Sequence, residues 1–162
     1  MQKESFHKMK ILLAPDKFKG CMRSPEICEI LVRALSDTLP DAKIVSLPLA
    51  DGGEGTTEAM LAATGGELRK AKVSGPLDKP VTASFGLYNK GRSAILEMSS
   101  ASGLELLSRK ELNPLKTSTY GTGELILAAL DAGAEEVTIG IGGSATVDGG
   151  AGMAQALGFK LL

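Results

Sequence analysis

A glycine-rich segment near the end of the chain constrains the fold more than any other feature. It reads GIGGSATVDGG from residue 140 to 150. An apolar pattern typical of a strand, Val137 to Ile141, leads into it, and a helical pattern, Ala151 to Leu157, follows. Ligands of open α/β sheets bind in loops that follow strands, and the backbone amides of such a loop can form an anion nest. The segment therefore predicts an α/β fold with an anion-binding loop.

Two further loops in the first third of the chain have a similar setting. PDKFKG (residues 15–20) follows the apolar run Ile11 to Ala14, and Asp51 to Gly55 follows the strand pattern within Lys43 to Leu49. Helical patterns lie between and after these loops, one starting at Ser24-Pro25 with Ser24 as the N-cap, the other running from Thr56 to Ala63. The order strand, helix, strand, helix predicts a doubly wound parallel sheet.

The pattern changes after Gly66. Three strand patterns follow closely, with turn residues and no helix between them: Leu68 to Val73, Val81 to Leu87, and Ser93 to Glu97. Such spacing favours antiparallel pairing. A helix is predicted from about Gly123 to Ala132, ahead of the late strand and glycine-rich segment. We therefore expect an extension at residues 1–8, part of a first α/β lobe at 9–66, and part of a second α/β lobe with antiparallel strands at 67–162.

Composition excludes several classes of protein. The formal net charge of the 162 residues is −1, which argues against a nucleic-acid or membrane-surface partner. No apolar run approaches the ~18 residues that a membrane-spanning helix requires. The two cysteines, Cys21 and Cys28, and the sole histidine, His7, lack the spacing of a zinc site and suit a reducing compartment. A cytoplasmic protein is expected.

Candidate anion contacts come first from PDKFKG. Lys17 and Lys19 follow a predicted strand together with Asp16. A lysine ammonium is a compact point charge that suits a phosphate or a carboxylate. A solvated charged turn is the bland alternative, and spacing alone slightly favours it.

The loop at residues 51–55 adds carboxylates. Asp51 and Glu54 are candidates for Mg²⁺ ligation or for orienting a hydroxyl group. Gly52 and Gly53 permit unusual backbone conformations and close approach of a ligand. A turn that ends in a helix cap at Thr56 explains the same residues about equally well.

The late glycine-rich segment supplies the remaining candidates. Gly142, Gly143, Ser144 and Thr146 are placed to cradle a phosphate or a substrate. Asp148 stands at a predicted helix start, where it can act as a base, as a metal ligand, or merely as an N-cap. GIGGSA also fits a loose dinucleotide fingerprint, but it lies too late in the chain for the ribose-binding acid to follow. The sequence has no P-loop motif.

Six stretches, in the same order along Met9 to Leu162, resemble the glycerate kinase type 1 family. They are PDKFKG (15–20), PLADGGEGT (48–56), SGPL…PV (74–81), EMSSASGL (97–104), TSTYGTGELI (117–126) and IGIGGSATVDGGAGM (139–153). Each alone is weak, but the set is highly specific.

The resemblance implies a kinase that uses ATP and Mg²⁺ to phosphorylate D-glycerate, with 2-phosphoglycerate as the favoured product. It also implies two α/β lobes, one of them flavodoxin-like, with the active site in the cleft between them. Asp51, Glu54 and Asp148 then compete for two tasks, ligation of Mg²⁺ and orientation of the attacking hydroxyl. We take Asp148, Asp51 and Lys17 as the candidate catalytic residues and Glu54 as the candidate metal ligand. We favour Asp148 as the group that orients the attacking hydroxyl.

The sequence departs from the family in length and at single positions. Family members are usually more than twice as long, so the chain is expected to be an N-terminal portion. Val147 stands where Asn is usual, and Lys17 and Cys21 where Ser is common. The missing C-terminal half or a second copy is the expected protein partner. A truncated, non-catalytic module that binds an anion or a partner is the alternative function.

Overall fold

The chain forms two compact units that divide between Ala50 and Asp51. The computed structural model describes residues 9–18 and 21–160. The first unit contains β1 (Lys10–Leu13), α1 (Ser24–Thr38) and β2 (Lys43–Ser46). The second contains α2 (Thr56–Thr64), β3 (Glu67–Ser74), β4 (Pro80–Tyr88), β5 (Ser93–Glu97), α3 (Ser99–Ser102), α4 (Tyr120–Asp131), β6 (Glu136–Gly140) and α5 (Ala151–Ala156).

The first unit is a strand–helix–strand motif. β1 and β2 pair in parallel, with Lys10 opposite Lys43 and Leu13 opposite Ser46. Parallel neighbours need a long crossover, which α1 supplies. The apolar stripe of α1 buries Ile27 and Cys28. The parallel arrangement predicted for this part of the chain is confirmed.

The start of α1 differs from the prediction. Arg23, not Ser24, is the N-cap residue, and its amide donates to Oε2 of Glu26 at 3.2 Å. Ser24 is buried, and its hydroxyl donates to the carbonyl of Pro15 at 2.6 Å. The prediction of Ser24 as the N-cap was wrong because its hydroxyl holds the loop after β1 instead of the first turn of the helix.

The second unit is built on a four-stranded mixed sheet in the order β3-β4-β5-β6. β3, β4 and β5 pair antiparallel, as predicted, and β6 joins β5 in parallel. Together with the parallel pair in the first unit, this mixed sheet confirms the predicted α/β class. The short helix α3 was not predicted, because four residues give no readable helical period.

Helices cover both faces of this sheet. On β4, the alternating residues Ala83, Phe85 and Leu87 belong to a core cluster that also contains Leu125 and Ala129 of α4. Gly86 points to the other face, where a Cβ atom would lie 2.7 Å from a methyl group of Leu61 in α2. Because neighbouring strand residues face opposite sides, α2 and α4 lie on opposite faces of the sheet.

The packing of α2 explains why the units divide at Ala50. The Leu61 side chain lies over β4, so α2 belongs with the sheet of the second unit. The division therefore falls earlier in the chain than the lobe boundary expected near residue 67. That boundary concerns the two lobes of a longer protein and stays a prediction.

The α4 and α5 helices pack closely through a glycine. A Cβ atom at Gly123 would lie 2.5 Å from the carbonyl oxygen of Met153 and 2.7 Å from Cβ of Ala156. Only glycine permits this approach, which brings the amino-terminal ends of both helices together. Among the helices of residues 9–18 and 21–160, none is long and apolar enough to cross a membrane.

Candidate functional site

Two glycine-rich loops meet at one edge of the second unit. The first glycine loop (residues 51–55) leads into α2, and the second glycine loop (residues 140–150) connects β6 to α5. Glu97 and Gly140, the last residues of β5 and β6, stand side by side in the parallel register. The carboxyl ends of parallel strands are the usual place for a ligand site in an α/β sheet.

The two loops touch through their backbones. The amide of Gly142 donates to the carbonyl of Gly52 at 2.9 Å. A Cβ atom at Gly142 would lie 2.8 Å from the backbone of Gly53, and one at Gly140 would lie 2.5 Å from the Gly52 oxygen. Contact between the loops therefore requires glycine at 140 and 142, whereas the sequence analysis placed Gly142 among the residues that cradle a ligand.

The segment after β5 holds the second glycine loop from the other side. Met98 donates its amide to the carbonyl of Gly140, and Leu104 donates to Gly143, both at 2.9 Å. The amide of Ala145 donates to the carbonyl of Ser102, also at 2.9 Å. These backbone hydrogen bonds hold the second glycine loop between the first glycine loop and residues 98–104.

Two amides of the second glycine loop have no acceptor among the residues that the structure describes. Gly143 adopts a φ of +74°, in the left-handed region that favours glycine. In the described part of the chain, no oxygen accepts the amide hydrogens of Gly143 and Ser144. Successive amides of this kind can hold an anion. The Ser144 hydroxyl, by contrast, is used inside the loop, where it lies 2.8 Å from the Thr146 hydroxyl and accepts the Thr146 amide at 3.1 Å.

Asp148 joins three segments at the end of the second glycine loop. Its Oδ2 atom accepts the amide and the hydroxyl of Thr119, each at 2.8 Å, and the amide of Gly152 at 3.2 Å. Its Oδ1 atom accepts the amide of Gly150 at 3.2 Å. The half-buried carboxylate thus holds the first turn of α5 and the residues that precede α4.

These bonds determine the charge state of Asp148. Burial by itself raises the pKa of its carboxyl group, but the amide and hydroxyl of Thr119 and the amides of Gly152 and Gly150 outweigh it. The pKa is therefore held below its ordinary value of 3.8. Hydrogen bonds to the ionised form favour that form. At neutral pH Asp148 is an ionised hydrogen-bond acceptor.

The carboxylates of the first glycine loop are exposed. Oδ1 of Asp51 accepts the amide of Gly53 at 3.1 Å, and Glu54 follows on the same loop. Gly55, with a φ of +93°, is the N-cap of α2. The Thr56 hydroxyl donates to the carbonyl of Gly53 at 2.6 Å and is not itself the cap. Both carboxylates are presented at the edge where the loops meet.

The lysines of PDKFKG belong to the first unit. Lys17 is half-buried, and its amide donates to Oδ1 of Asp16 at 2.7 Å. Lys19 lies outside the described residues. That these lysines share a site with the glycine loops stays a prediction.

Sequence reasoning missed two residues at this edge. Thr119 is buried and bonded to Asp148 as described above, and its Oγ1 atom also accepts the amide of Met153 at 2.9 Å. Its signal was the Thr117-Ser118-Thr119 run ahead of a predicted helix. Glu97 is a buried acid at the end of β5. Its signal was a charged residue at the last position of an otherwise apolar predicted strand.

Within 9–18 and 21–160, no three His, Cys, Asp or Glu side chains are grouped so as to hold an ion. A metal ion at this edge would need ligands besides the side chains of these residues.

The fold and the loops together define an α/β protein with two glycine-rich loops at the carboxyl ends of parallel strands, where α/β sheets usually place a ligand site. A family model described as "Glycerate kinase family" matches residues 11–162. The chain belongs to the glycerate kinase family, and the resemblance drawn from its motifs is confirmed.

Similar proteins agree with this assignment. The chain is 54% identical to glycerate 2-kinase of Escherichia coli K12 over 153 residues, which is 94% of this chain and 40% of the relative. It is 54% identical to glycerate kinase of Bacillus subtilis 168 over 154 residues, 95% of this chain and 40% of that protein. A crystal structure of a candidate glycerate kinase 2 from Salmonella typhimurium LT2 matches with a TM-score of 0.80 and 52% identity, covering 94% of this chain and 41% of that one. The chain thus spans about 40% of the length of its relatives.

Proposed function

We propose that the whole protein to which this chain belongs phosphorylates D-glycerate with ATP in the cytoplasm and forms 2-phosphoglycerate. The observation that carries this proposal is the edge where the two glycine loops meet, with the amides of Gly143 and Ser144 lacking acceptors among the described residues. Membership of the glycerate kinase family gives the substrate class.

The second glycine loop is the proposed anion cradle. Phosphoryl transfer depends mainly on positioning and on stabilising charge. The amides of Gly143 and Ser144 would hold a phosphate or the glycerate carboxylate. Gly142 would act indirectly, because its amide is bonded to Gly52 and keeps the cradle in place. Thr146 would act in the same way through the Ser144 hydroxyl.

Mg²⁺ fits the first glycine loop. This ion commonly binds one or two protein carboxylates together with substrate phosphates and water, so the exposed pair Asp51 and Glu54 suffices without a third acid. When bound, Mg²⁺ would neutralise charge on the transferring phosphate. We assign Glu54 to the ion. Asp51 would help to orient the reacting groups, with Gly52 and Gly53 giving room for their approach.

Asp148 is the proposed acceptor for the attacking hydroxyl. Its Oδ1 atom takes one bond, from Gly150, whereas Oδ2 takes three. A carboxylate oxygen has two lone pairs, so Oδ1 retains capacity for a substrate hydroxyl. The lowered pKa suits an orienting acceptor better than a proton carrier. Lys17 and Lys19 would add cationic contacts to the anions.

A chimera tests the proposal. Residues 11–162 replace the matching region of the Escherichia coli relative, and ADP formation is followed with D-glycerate and Mg²⁺. The expected result is glycerate-dependent turnover, with 2-phosphoglycerate identified by ³¹P NMR. The remainder of the relative without this chain is the control. A folded chimera with no turnover would contradict the proposal and favour a non-catalytic binding module.

A further inference from the structure

Glu97 is a buried acid that the proposed reaction does not use. It is the last residue of β5, stands opposite Gly140 in the parallel register, and is 8% exposed. Burying an ionised carboxylate is costly unless hydrogen bonds replace its water. The hydrogen bonds of Glu97 therefore indicate its role.

One of the hydrogen bonds of Glu97 reaches the first turn of α2. Oε1 of Glu97 accepts the amide of Thr57, the second residue of the helix, at 2.7 Å. The first amides of a helix have no partner within it, and its amino-terminal end favours negative charge. Glu97 thus supplies from β5 the acceptor that the N-cap Gly55, which has no side chain, does not provide.

The Thr57 side chain makes the amide bond more important. Thr57 is 4% exposed, and its hydroxyl has no hydrogen-bond partner within residues 9–18 and 21–160. A buried hydroxyl without a partner costs stability. Its conformation is therefore held by packing and by the amide bond to Glu97.

The first glycine loop directly precedes this attachment. Gly52 accepts the amide of Gly142, while Glu97 holds Thr57 just beyond the loop. These two attachments fix the first glycine loop on both sides of Glu54, and Asp51 directly precedes the first attachment. Both carboxylates are therefore held in a defined place beside the second glycine loop. We propose that Glu97 is a positioning residue, which acts through α2 to hold the first glycine loop against the second.

The kinetic test rests on the proposed function and uses the chimera. Glu97→Ala removes the acceptor, Glu97→Gln keeps an oxygen for the Thr57 amide, and Glu58→Ala removes an exposed acid from the same helical turn. Misplacement by about 1 Å can cost roughly 10²-fold in rate. We expect Glu97→Ala to lower kcat by about 10-fold to 10²-fold and Glu97→Gln to restore most of it. Glu58→Ala should leave kcat unchanged.

A second test does not depend on catalysis. Amide hydrogen exchange is measured on the 162-residue chain and on the same variants. Glu97→Ala should speed exchange in a peptide covering residues 51–58 and leave α4 protected, whereas Glu97→Gln and Glu58→Ala should resemble the parent. If the parent chimera lacks glycerate turnover, the proposed function fails and the exchange result alone decides the role of Glu97.

Three outcomes would overturn the proposal. One is a Glu97→Ala chimera that has a lower melting temperature but an unchanged kcat when the rate is measured well below that temperature. This result would indicate a structural role alone. Another is equal loss of kcat in folded Glu97→Ala and Glu97→Gln, because a positioning acceptor should be rescued by Gln. The third is exchange at residues 51–58 that does not change in Glu97→Ala.

Discussion

Oδ2 of Asp148 accepts both the amide and the hydroxyl of Thr119, each at 2.8 Å. The same threonine hydroxyl accepts the amide of Met153 in α5. Asp148 and Thr119 therefore connect the starts of α4 and α5 beneath the second glycine loop. Gly150, not Asp148, is the N-cap residue of α5, so the N-cap role that the sequence left open for Asp148 is wrong, and its Oδ2 atom instead accepts the Gly152 amide in the first turn. Only Oδ1 is left with capacity for a substrate.

Replacing Asp148 by Asn separates these two roles. The Asn oxygen can take the place of Oδ2, but its amino group then faces the donor of Gly150. The mismatch should lower the free energy of unfolding by about 1–3 kcal/mol. If Oδ1 orients the hydroxyl, kcat of the chimera should fall by about 10²-fold or more. Urea unfolding and steady-state kinetics on one sample measure both, and a normal kcat would leave Asp148 with a structural role alone.

The lowered pKa of Asp148 predicts a dependence of stability on pH. Its folded-state pKa lies below the unfolded value, because hydrogen bonds from Thr119, Gly152 and Gly150 outweigh burial. Its contribution to stability is therefore complete above the unfolded pKa, about 4, and is lost as pH falls through the folded pKa. The difference in melting temperature between the parent and Asp148→Asn should shrink below about pH 4. A constant difference from neutral to acid pH would contradict this.

Gly142→Ala tests the contact between the glycine loops. The new Cβ atom would meet the Gly53 backbone at 2.8 Å, so the loops must move apart. Gly91→Ala is the control, because Gly91 has a φ of +84° but open space around it, in the turn before β5. Both variants should lose stability, by about 1–2 kcal/mol for Gly91→Ala. Only Gly142→Ala should lower kcat of the chimera, and equal kcat values at equal folded fractions would show that loop contact is unimportant.

The elements of the fold were predictable where periodicity was strong. Ser93–Glu97 is a strand with the predicted bounds, because five buried residues between turn signals leave little choice. Gly65, with its left-handed φ of +73°, ends α2 as its sequence indicated. Local patterns of this kind depend on few distant contacts.

The site was less predictable because its chemistry depends on contacts between distant segments. Gly142 looked like a ligand-binding residue, yet the requirement for glycine at 140 and 142 comes from Gly52 and Gly53, far away in sequence. Ser24 looked like an N-cap, but its hydroxyl donates to the carbonyl of Pro15. Thr119 was missed because nothing local shows that Asp148 lies against it. The residue types indicated which edge of the sheet holds the candidate site. The role of each residue at that edge could be assigned only from the fold.

An exposed ion pair gives a local test of the second unit. The ammonium group of Lys79 donates to Glu111 at 2.8 Å, and the amide and hydroxyl of Ser108 also donate to that carboxylate. Lys79 first, and then Ser108, lower the pKa of Glu111 to about 2. In Lys79→Ala an NMR titration should show this pKa rising toward the ordinary value of 4.5. Stability should change little, because exposed ion pairs contribute little. A pKa that stays near 2 would show that Ser108 alone holds it.

A double-mutant cycle measures the link between Thr119 and Asp148. Thr119→Val keeps the shape of this buried side chain but removes the hydroxyl, leaving Oδ2 without one donor and the Met153 amide without its acceptor. Leaving this partly buried amide unpaired costs about 1–3 kcal/mol, so Thr119→Val should destabilise the chain by about that amount, and Thr119→Ser should restore most of the loss. Asp148→Ala should destabilise it as well.

Residues in one hydrogen-bond network show coupling energies of about 0.5–3 kcal/mol, so the double variant should lose less stability than the sum of the single losses. Urea unfolding of the parent, both single variants and the double variant gives the coupling. Additive losses would mean that the two residues stabilise α4 and α5 independently, and that the node beneath the second glycine loop does not act as a unit.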